Sequence, residues 1–256
     1  MKVDTIPADT TVRAIARSEF LPGGSTAVLV IHGFTGITDE MHYLAERLNT
    51  AGFTVAVPRL PGHGTNWRDF VSTDAEDWLR RVTDAYLELS SRYEKVFVTG
   101  LSMGGVLSVI LAARFPIERI ALAAPALKVR QRLVCLTPLL KFFIRRLPSA
   151  YQEKSDDPDR QFLFNEYWHW NTPSAIAELY RLLRRARRLL PRVRAQVLTI
   201  VSRADETVPI TAAELIERRG TAAAEHRQVI LENSPHVMVN GEEKERVADE
   251  IVRWFS

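Results

Sequence analysis

Val96-Phe97-Val98-Thr99-Gly100-Leu101-Ser102-Met103-Gly104-Gly105 decides the fold: an apolar run, a Gly-x-Ser-x-Gly turn, then a helical pattern reaching Phe115 before Pro116. The β-branched and aromatic run predicts a strand buried on both faces. A sharp turn from that strand into a helix pushes Ser102 into strained dihedrals. Gly100 and Gly104 remove the Cβ atoms that would otherwise collide there. The Ser102 hydroxyl then projects above the sheet, beside a helix N-terminus with unpaired N–H groups and a positive dipole end. The plainer alternative is a Gly-rich connection that binds phosphate or nothing. Strand, turn and helix in this order favour a nucleophile instead.

Outward from this turn, short β-branched runs alternate with longer amphipathic stretches. That pattern belongs to an α/β fold with a mostly parallel central sheet flanked by helices. Strands are expected at Thr11 to Ala16, Ala27 to His32, Thr54 to Pro58, Lys95 to Gly100, Arg119 to Ala124, Gln196 to Ser202 and Gln228 to Leu231. Between them, Asp39 to Ala51 reads as a helix stopped by Gly52. Thr73-x-x-Glu76 reads as a capping box opening a helix towards Tyr93. Gly104 to Phe115, Thr211 to Arg219 and Glu242 to Trp254 complete the helical pattern.

A serine hydroxyl is a poor nucleophile at neutral pH, so the turn calls for a base and an orienting acid at later strand ends. Asp205 follows the run Gln196 to Ser202, and His236 follows the last strand in Asn233-Ser234-Pro235-His236. Glu206 competes with Asp205 for the acid role. His226 precedes its strand and belongs at the other sheet end. One oxyanion donor is expected from Met103 N–H, and a second from Phe34 N–H, where Gly33 and Gly36 let the backbone bend towards Ser102. His32 and His63, both beside tight turns, read as structural rather than chemical.

The 256 residues suit one α/β domain or one carrying an insertion. With 46% hydrophobic and 25% charged residues, collagen-like, low-complexity and disordered classes are excluded. The lone Cys135 makes no internal disulfide, and six scattered His give no zinc-ligand spacing. No metal or organic cofactor is expected. Met1 to Pro7 lacks the apolar stretch of a signal peptide, which leads to an expected cytoplasmic location. The longest apolar stretch, Leu133 to Ile144, is too short to span a bilayer.

With His32-Gly33-Phe34-Thr35-Gly36, Arg59-Leu60-Pro61-Gly62-His63-Gly64, Gly100-Leu101-Ser102-Met103-Gly104-Gly105, Asp205 and His236 in this order, the chain resembles the α/β-hydrolase superfamily. Within it, the motifs look most like small bacterial carboxylesterases and monoacylglycerol lipases, over nearly the whole chain. The resemblance implies the α/β-hydrolase fold and a short helical cap after the sixth core strand. It also implies catalytic positions at Ser102, Asp205 and His236, and oxyanion-hole positions at Phe34 and Met103. The implied reaction is hydrolysis of small-molecule carboxylic esters with short to medium, apolar acyl chains through an acyl-serine. In those monoacylglycerol lipases an acidic cap residue just before a Thr-Pro pair recognises glycerol. Here Asn171 precedes Thr172-Pro173. Monoacylglycerol lipase, thioesterase, C–C hydrolase and a non-catalytic ligand-binding protein of this fold remain open alternatives.

Between Ala126 and Arg194 the strand signals vanish, so residues 1–125 and 195–256 read as the core and 126–194 as the helical cap insertion. Residues 128–194 hold 15 Lys and Arg against 6 Asp and Glu, a balance of +9, which leaves −6 on the remaining chain. Ile176, Leu179, Tyr180, Leu183 and Leu190 fall on one helical face, and Arg181, Arg184, Arg185 and Arg188 on the other. The expected partner is a small-molecule ester substrate; the basic cap reads first as a cover whose arginines are solvated, with weak contact with an anionic membrane surface as the sharper alternative. Nucleic acid is not expected, because no recognition motif accompanies the charge. A monomer or homodimer is anticipated.

Overall fold

The computed structural model describes residues 6–149, 155–220 and 222–256. Its first strand, β1 (Glu19–Leu21), is followed by β2 (Thr26–Ile31), α1 (His42–Thr50) and β3 (Thr54–Val57). Next come α2 (Trp67–Ser72), α3 (Ala75–Ser90), β4 (Lys95–Leu101), α4 (Met103–Ala112) and β5 (Arg119–Ala123). The chain then leaves the sheet for α5 (Thr137–Leu140), β6 (Leu147–Pro148), α6 (Pro158–Leu163), a π-turn over Phe164–Trp168, β7 (Trp170–Asn171) and α7 (Pro173–Leu189). It returns through β8 (Gln196–Ser202), α8 (Thr211–Arg219), β9 (His226–Leu231) and α9 (Lys244–Phe255).

Seven strands form the main sheet in the order β1-β3-β2-β4-β5-β8-β9. Only β1 runs antiparallel, paired with β3. The central strands are buried on both faces, as their mostly apolar runs, rich in Val, Leu and Ile, dictate. Helices α1 and α9 pack on one another, while α3, α4 and α7 form a second contiguous group. No helix among the described residues is long and apolar enough to cross a membrane.

Five expectations are corrected. Thr11 to Ala16 is not a strand: Arg13 N–H donates to Gly64 O at 2.9 Å and Ala14–Ala16 close a 3-10 turn, so the edge is taken by Glu19–Leu21. The capping box belongs to Asp74 and Asp77, not Thr73 and Glu76. Asp74 accepts from Glu76 N–H at 3.0 Å and Asp77 N–H at 3.2 Å, and Asp77 accepts in return from Asp74 N–H at 2.9 Å. Between Ala126 and Arg194 a two-residue antiparallel ladder, β6 with β7, joins the helices. This segment follows the fifth described strand rather than the sixth. Residues 150–154 of it lie outside the described residues. Tyr180 of α7 also faces outward, lining a surface groove with Arg181, Arg184 and Arg188, while Leu182 and Leu183 are buried.

Candidate active site

Because β2, β4, β8 and β9 run parallel, the loops leaving their C-terminal ends meet along one sheet edge. Ser102 leaves β4 at φ 54° and ψ −110°, where a residue with a Cβ is strained. The glycines beside it permit this. A Cβ on Gly104 would lie 2.1 Å from Ile31 O, and one on Gly100 would lie 2.3 Å from the Gly104 carbonyl carbon. The strained residue is held from both sides: its N–H donates to Ala123 O at 2.9 Å, and its carbonyl accepts from Val106 N–H at 3.2 Å and Ala126 N–H at 3.1 Å.

Ser102 Oγ lies 3.0 Å from His236 Nε2, and His236 Nδ1 lies 2.8 Å from Asp205 Oδ2. Asp205 is buried, and its Oδ1 accepts from Thr207 N–H at 2.7 Å and Val208 N–H at 2.9 Å. Burial pushes its pKa up, but the hydrogen bond and charge of His236, with the two backbone donors, outweigh that and hold the carboxyl below its ordinary range. Asp205 is therefore ionised at neutral pH and takes the Nδ1–H of His236, which leaves Nε2 free to accept from Ser102. Glu206 is exposed and makes no contact of this kind, although it lies at the cavity rim.

The loop after β2 lies against Ser102, for a Cβ on Gly33 would stand 3.6 Å from Ser102 Cβ. His32 is fully buried. Its Nδ1–H donates to Gly33 O at 2.9 Å, and its Nε2 accepts from Leu60 N–H at 3.1 Å, which fixes one neutral tautomer. Gly36 N–H also donates to Gly33 O, at 3.2 Å. A planar trans peptide with its carbonyl held in this way turns Phe34 N–H to the opposite side. Met103 N–H is the first of the α4 donors that have no intrahelical acceptor. His63 packs edge-on to His32 at 5.1 Å, its Nδ1–H donating to Pro61 O at 3.0 Å and its Nε2 buried without a partner. Neither histidine faces the Ser102 side chain; both brace the loops around it. His226 opens β9 at the far end and bonds Thr199 Oγ1 at 3.1 Å.

Ser102, His236, Gly33 and Phe34 open into a cavity of about 540 Å³. Its apolar walls come from Phe70, Val129, Val134, Ile176 and Leu179, and Trp168 and Trp170 close one side. Asn171 and Thr172 line it as well. Among the described residues no group of three His, Cys, Asp or Glu side chains could hold a metal ion. Two residues make contacts that carry no sequence signal. Arg130 donates through Nε to Asp205 O at 3.0 Å and through its backbone N–H to Thr207 O at 2.9 Å, clamping the acid's loop. Trp168 Nε1–H donates to Thr35 O at 2.8 Å. Both depend on how the 126–194 segment folds back over the core.

Residues 28–250 match the Alpha/beta hydrolase family. The chain belongs to that family. This α/β hydrolase is 33% identical over 239 residues to a thermostable monoacylglycerol lipase of Bacillus sp. (strain H-257), covering 93% of each chain. It is 28% identical over 237 residues to a carboxylesterase of Bacillus subtilis (strain 168), covering 91% of this chain and 93% of the other. Among solved structures, one reported for the metagenome-derived lipolytic enzymes LipS and LipT superposes with a TM-score of 0.84 at 33% identity, covering 95% of this chain and 99% of that one. The fold expected from the sequence motifs is thereby shown.

Proposed function

We propose that this α/β hydrolase is a serine carboxylesterase acting on small-molecule esters of short to medium acyl chain. The observation that carries the reading is the hydrogen-bonded chain Ser102–His236–Asp205 opening into an apolar cavity. The lipolytic and esterolytic names of its relatives support the same chemistry.

Ser102 Oγ attacks the ester carbonyl carbon while its proton passes to His236 Nε2. Asp205 holds the imidazole in its Nδ1–H tautomer and stabilises the imidazolium. Phe34 and Met103 N–H groups receive the oxyanion. The carbon–oxygen bond to the alcohol breaks, and the alcohol leaves with the proton from His236. Water then attacks the acyl-serine, giving its proton to the same nitrogen, and the acid is released as Ser102 regains its hydrogen. Every step uses side chains and backbone N–H groups of this protein, and water.

Residues 126–194 act as a cap whose α7 face, with Ile176 and Leu179, lines the acyl space. Asn171 at the position just before Thr172-Pro173 carries no charge, and its amide donates to Pro148 O at 3.3 Å. A plain carboxylesterase is therefore favoured over a glycerol-reading lipase. Weak lipid-surface contact belongs to the cap too. Its support is the run of exposed apolar side chains Leu133, Leu136, Leu139, Phe142, Phe143 and Leu147, beside Lys141, Arg145 and Arg184.

Initial rates on aryl acetate, butyrate, octanoate and a 1-monoacylglycerol test the reading. The expected result is an optimum at short to medium chains with little glyceride turnover, and a loss in Ser102→Ala of at least about a thousandfold in kcat. Glyceride turnover above that of the aryl esters would shift the assignment to a monoacylglycerol lipase. Near-normal rates in Ser102→Ala would end it.

A further inference from the structure

In the loop after β2 the carbonyl groups of Gly33, Phe34 and Thr35 each accept a hydrogen bond from the protein. Two are met within the core: Gly33 O by His32 and Gly36, and Phe34 O by Thr35 Oγ1–H at 2.6 Å. The third is met from outside it. Thr35 O accepts from the indole Nε1–H of Trp168 at 2.8 Å, 133 residues along the chain. Thr35 also sits at φ 60°, a region that a β-branched residue occupies only when its surroundings over-determine it.

We infer that Trp168 is a positioning residue for the oxyanion loop. Its indole N–H holds Thr35 in the left-handed conformation and thereby fixes the direction of Phe34 N–H. The catalytic geometry then depends on the seating of the inserted segment. This inference rests on the reading of Phe34 N–H as an oxyanion donor.

The indole is itself placed by a series of ties between residues 159–167 and the core. Asp159 pairs with Arg13 at 2.5 Å, and Arg160 pairs with Asp39, which directly precedes the Glu40 that flanks Gly36. Glu166 accepts from Trp67 N–H at 2.8 Å. Tyr167 stacks on Phe70 with ring centres 4.7 Å apart and accepts from Gly64 N–H at 2.9 Å through its hydroxyl. Phe70 in turn packs against the Phe34 ring at 5.6 Å. Lifting this segment removes the donor from Thr35 O and the aromatic support from Phe34 together. Substrate enclosure and oxyanion stabilisation are thus one event, in which the site is complete only while the segment is seated.

Trp168 also lines the cavity, so its test must separate a hydrogen bond from a wall. Two variants do so: Trp168→Phe, and replacement of Trp168 by β-(3-benzothienyl)alanine, which keeps the bicyclic shape and has sulfur where the N–H was. The expected result in both is a fall in kcat of about tenfold, below the hundredfold or more that follows loss of an oxyanion donor itself. The factor should be the same for acetate, butyrate and octanoate aryl esters, with the benzothienyl variant's KM within about twofold of wild type. Affinity for an aryl boronic acid, which forms a tetrahedral adduct on the serine, should fall in parallel. A benzothienyl variant with wild-type kcat and boronate affinity would overturn the inference and leave Trp168 as a wall. Ser102→Ala measured alongside keeps the two levels apart. If it is inactive while the Trp168 variants keep kcat, only the positioning role fails; if it is active, the serine reading beneath it fails.

Discussion

His32 and His63 are buried together under the loop that flanks Ser102, and neither has a carboxylate beside it. Burial lowers the pKa of His32 to about 4 from its ordinary 6.5, and burial with the neighbouring His32 takes His63 well below the ordinary value. Unfolded, both take up a proton near 6.5. The unfolded chain therefore binds more protons between pH 6.5 and 4, so stability is lost as pH falls through that window and is flat in these groups above it. For His32 alone the step from pH 7.5 to 5 is about 2 kcal/mol. His42, exposed and paired with Glu19 at 2.8 Å, titrates in the opposite sense, but solvent screening keeps its contribution small. Urea unfolding at pH 7.5 and pH 5 should differ by at least this amount; equal stabilities would contradict neutral burial of the pair. The meeting of Ser102, Asp205 and His236 at one sheet edge is legible in the sequence because each follows a strand with a strong local pattern. The clamps on them were not. Arg130 and Trp168 act through carbonyl groups 75 and 133 residues away, and no local periodicity encodes such a contact.

At the scale of elements, the central strands and the helices α4 and α8 could be read closely, because buried β-branched runs and glycine stops are local signals. The errors fall where a tertiary partner decides. Thr10-Thr11-Val12 has strand-like residues, yet the chain beside it bonds to Gly64 rather than to a strand. The edge β1 has three residues without a β-branched side chain and exists because β3 offers it a ladder. The start of α3 was displaced by one residue: Thr73 is occupied elsewhere, donating to Phe70 O at 2.9 Å and accepting from Trp78 Nε1–H at 3.1 Å. Asp74 is thus the cap. Asp74→Ala should lower unfolding free energy by about 1 kcal/mol with kcat unchanged, measured by denaturant titration alongside ester hydrolysis. No change in stability would return the cap to Thr73.

Across the whole molecule, the formal charge of +3 conceals a basic segment on an acidic core. Part of that basic charge is already neutralised, since Arg185 and Arg181 reach Glu76 of α3 at 2.8 and 3.5 Å. The exposed apolar run nearby is large: Leu139 is 67%, Phe142 75% and Phe143 87% exposed. Val134, buried beside the exposed Leu133, lines the cavity into which Ser102 opens, so a lipid surface touching this face would lie against the cavity wall. Sedimentation with phosphatidylcholine vesicles, with and without phosphatidylglycerol, should show binding that needs the anionic lipid. That binding should weaken with salt and fall in a Phe142→Ser, Phe143→Ser double variant. No sedimentation at low salt would leave residues 126–194 with no lipid contact to account for.

The proposed proton path requires a single activated serine. Treatment with a fluorophosphonate probe, followed by mass analysis of the peptide containing Ser102, tests this most directly. The account predicts about one label per chain, on Ser102, lost in Ser102→Ala and strongly slowed in His236→Ala. An unlabelled Ser102 in an enzyme that still hydrolyses esters, or a label on another residue that abolishes activity, would contradict it.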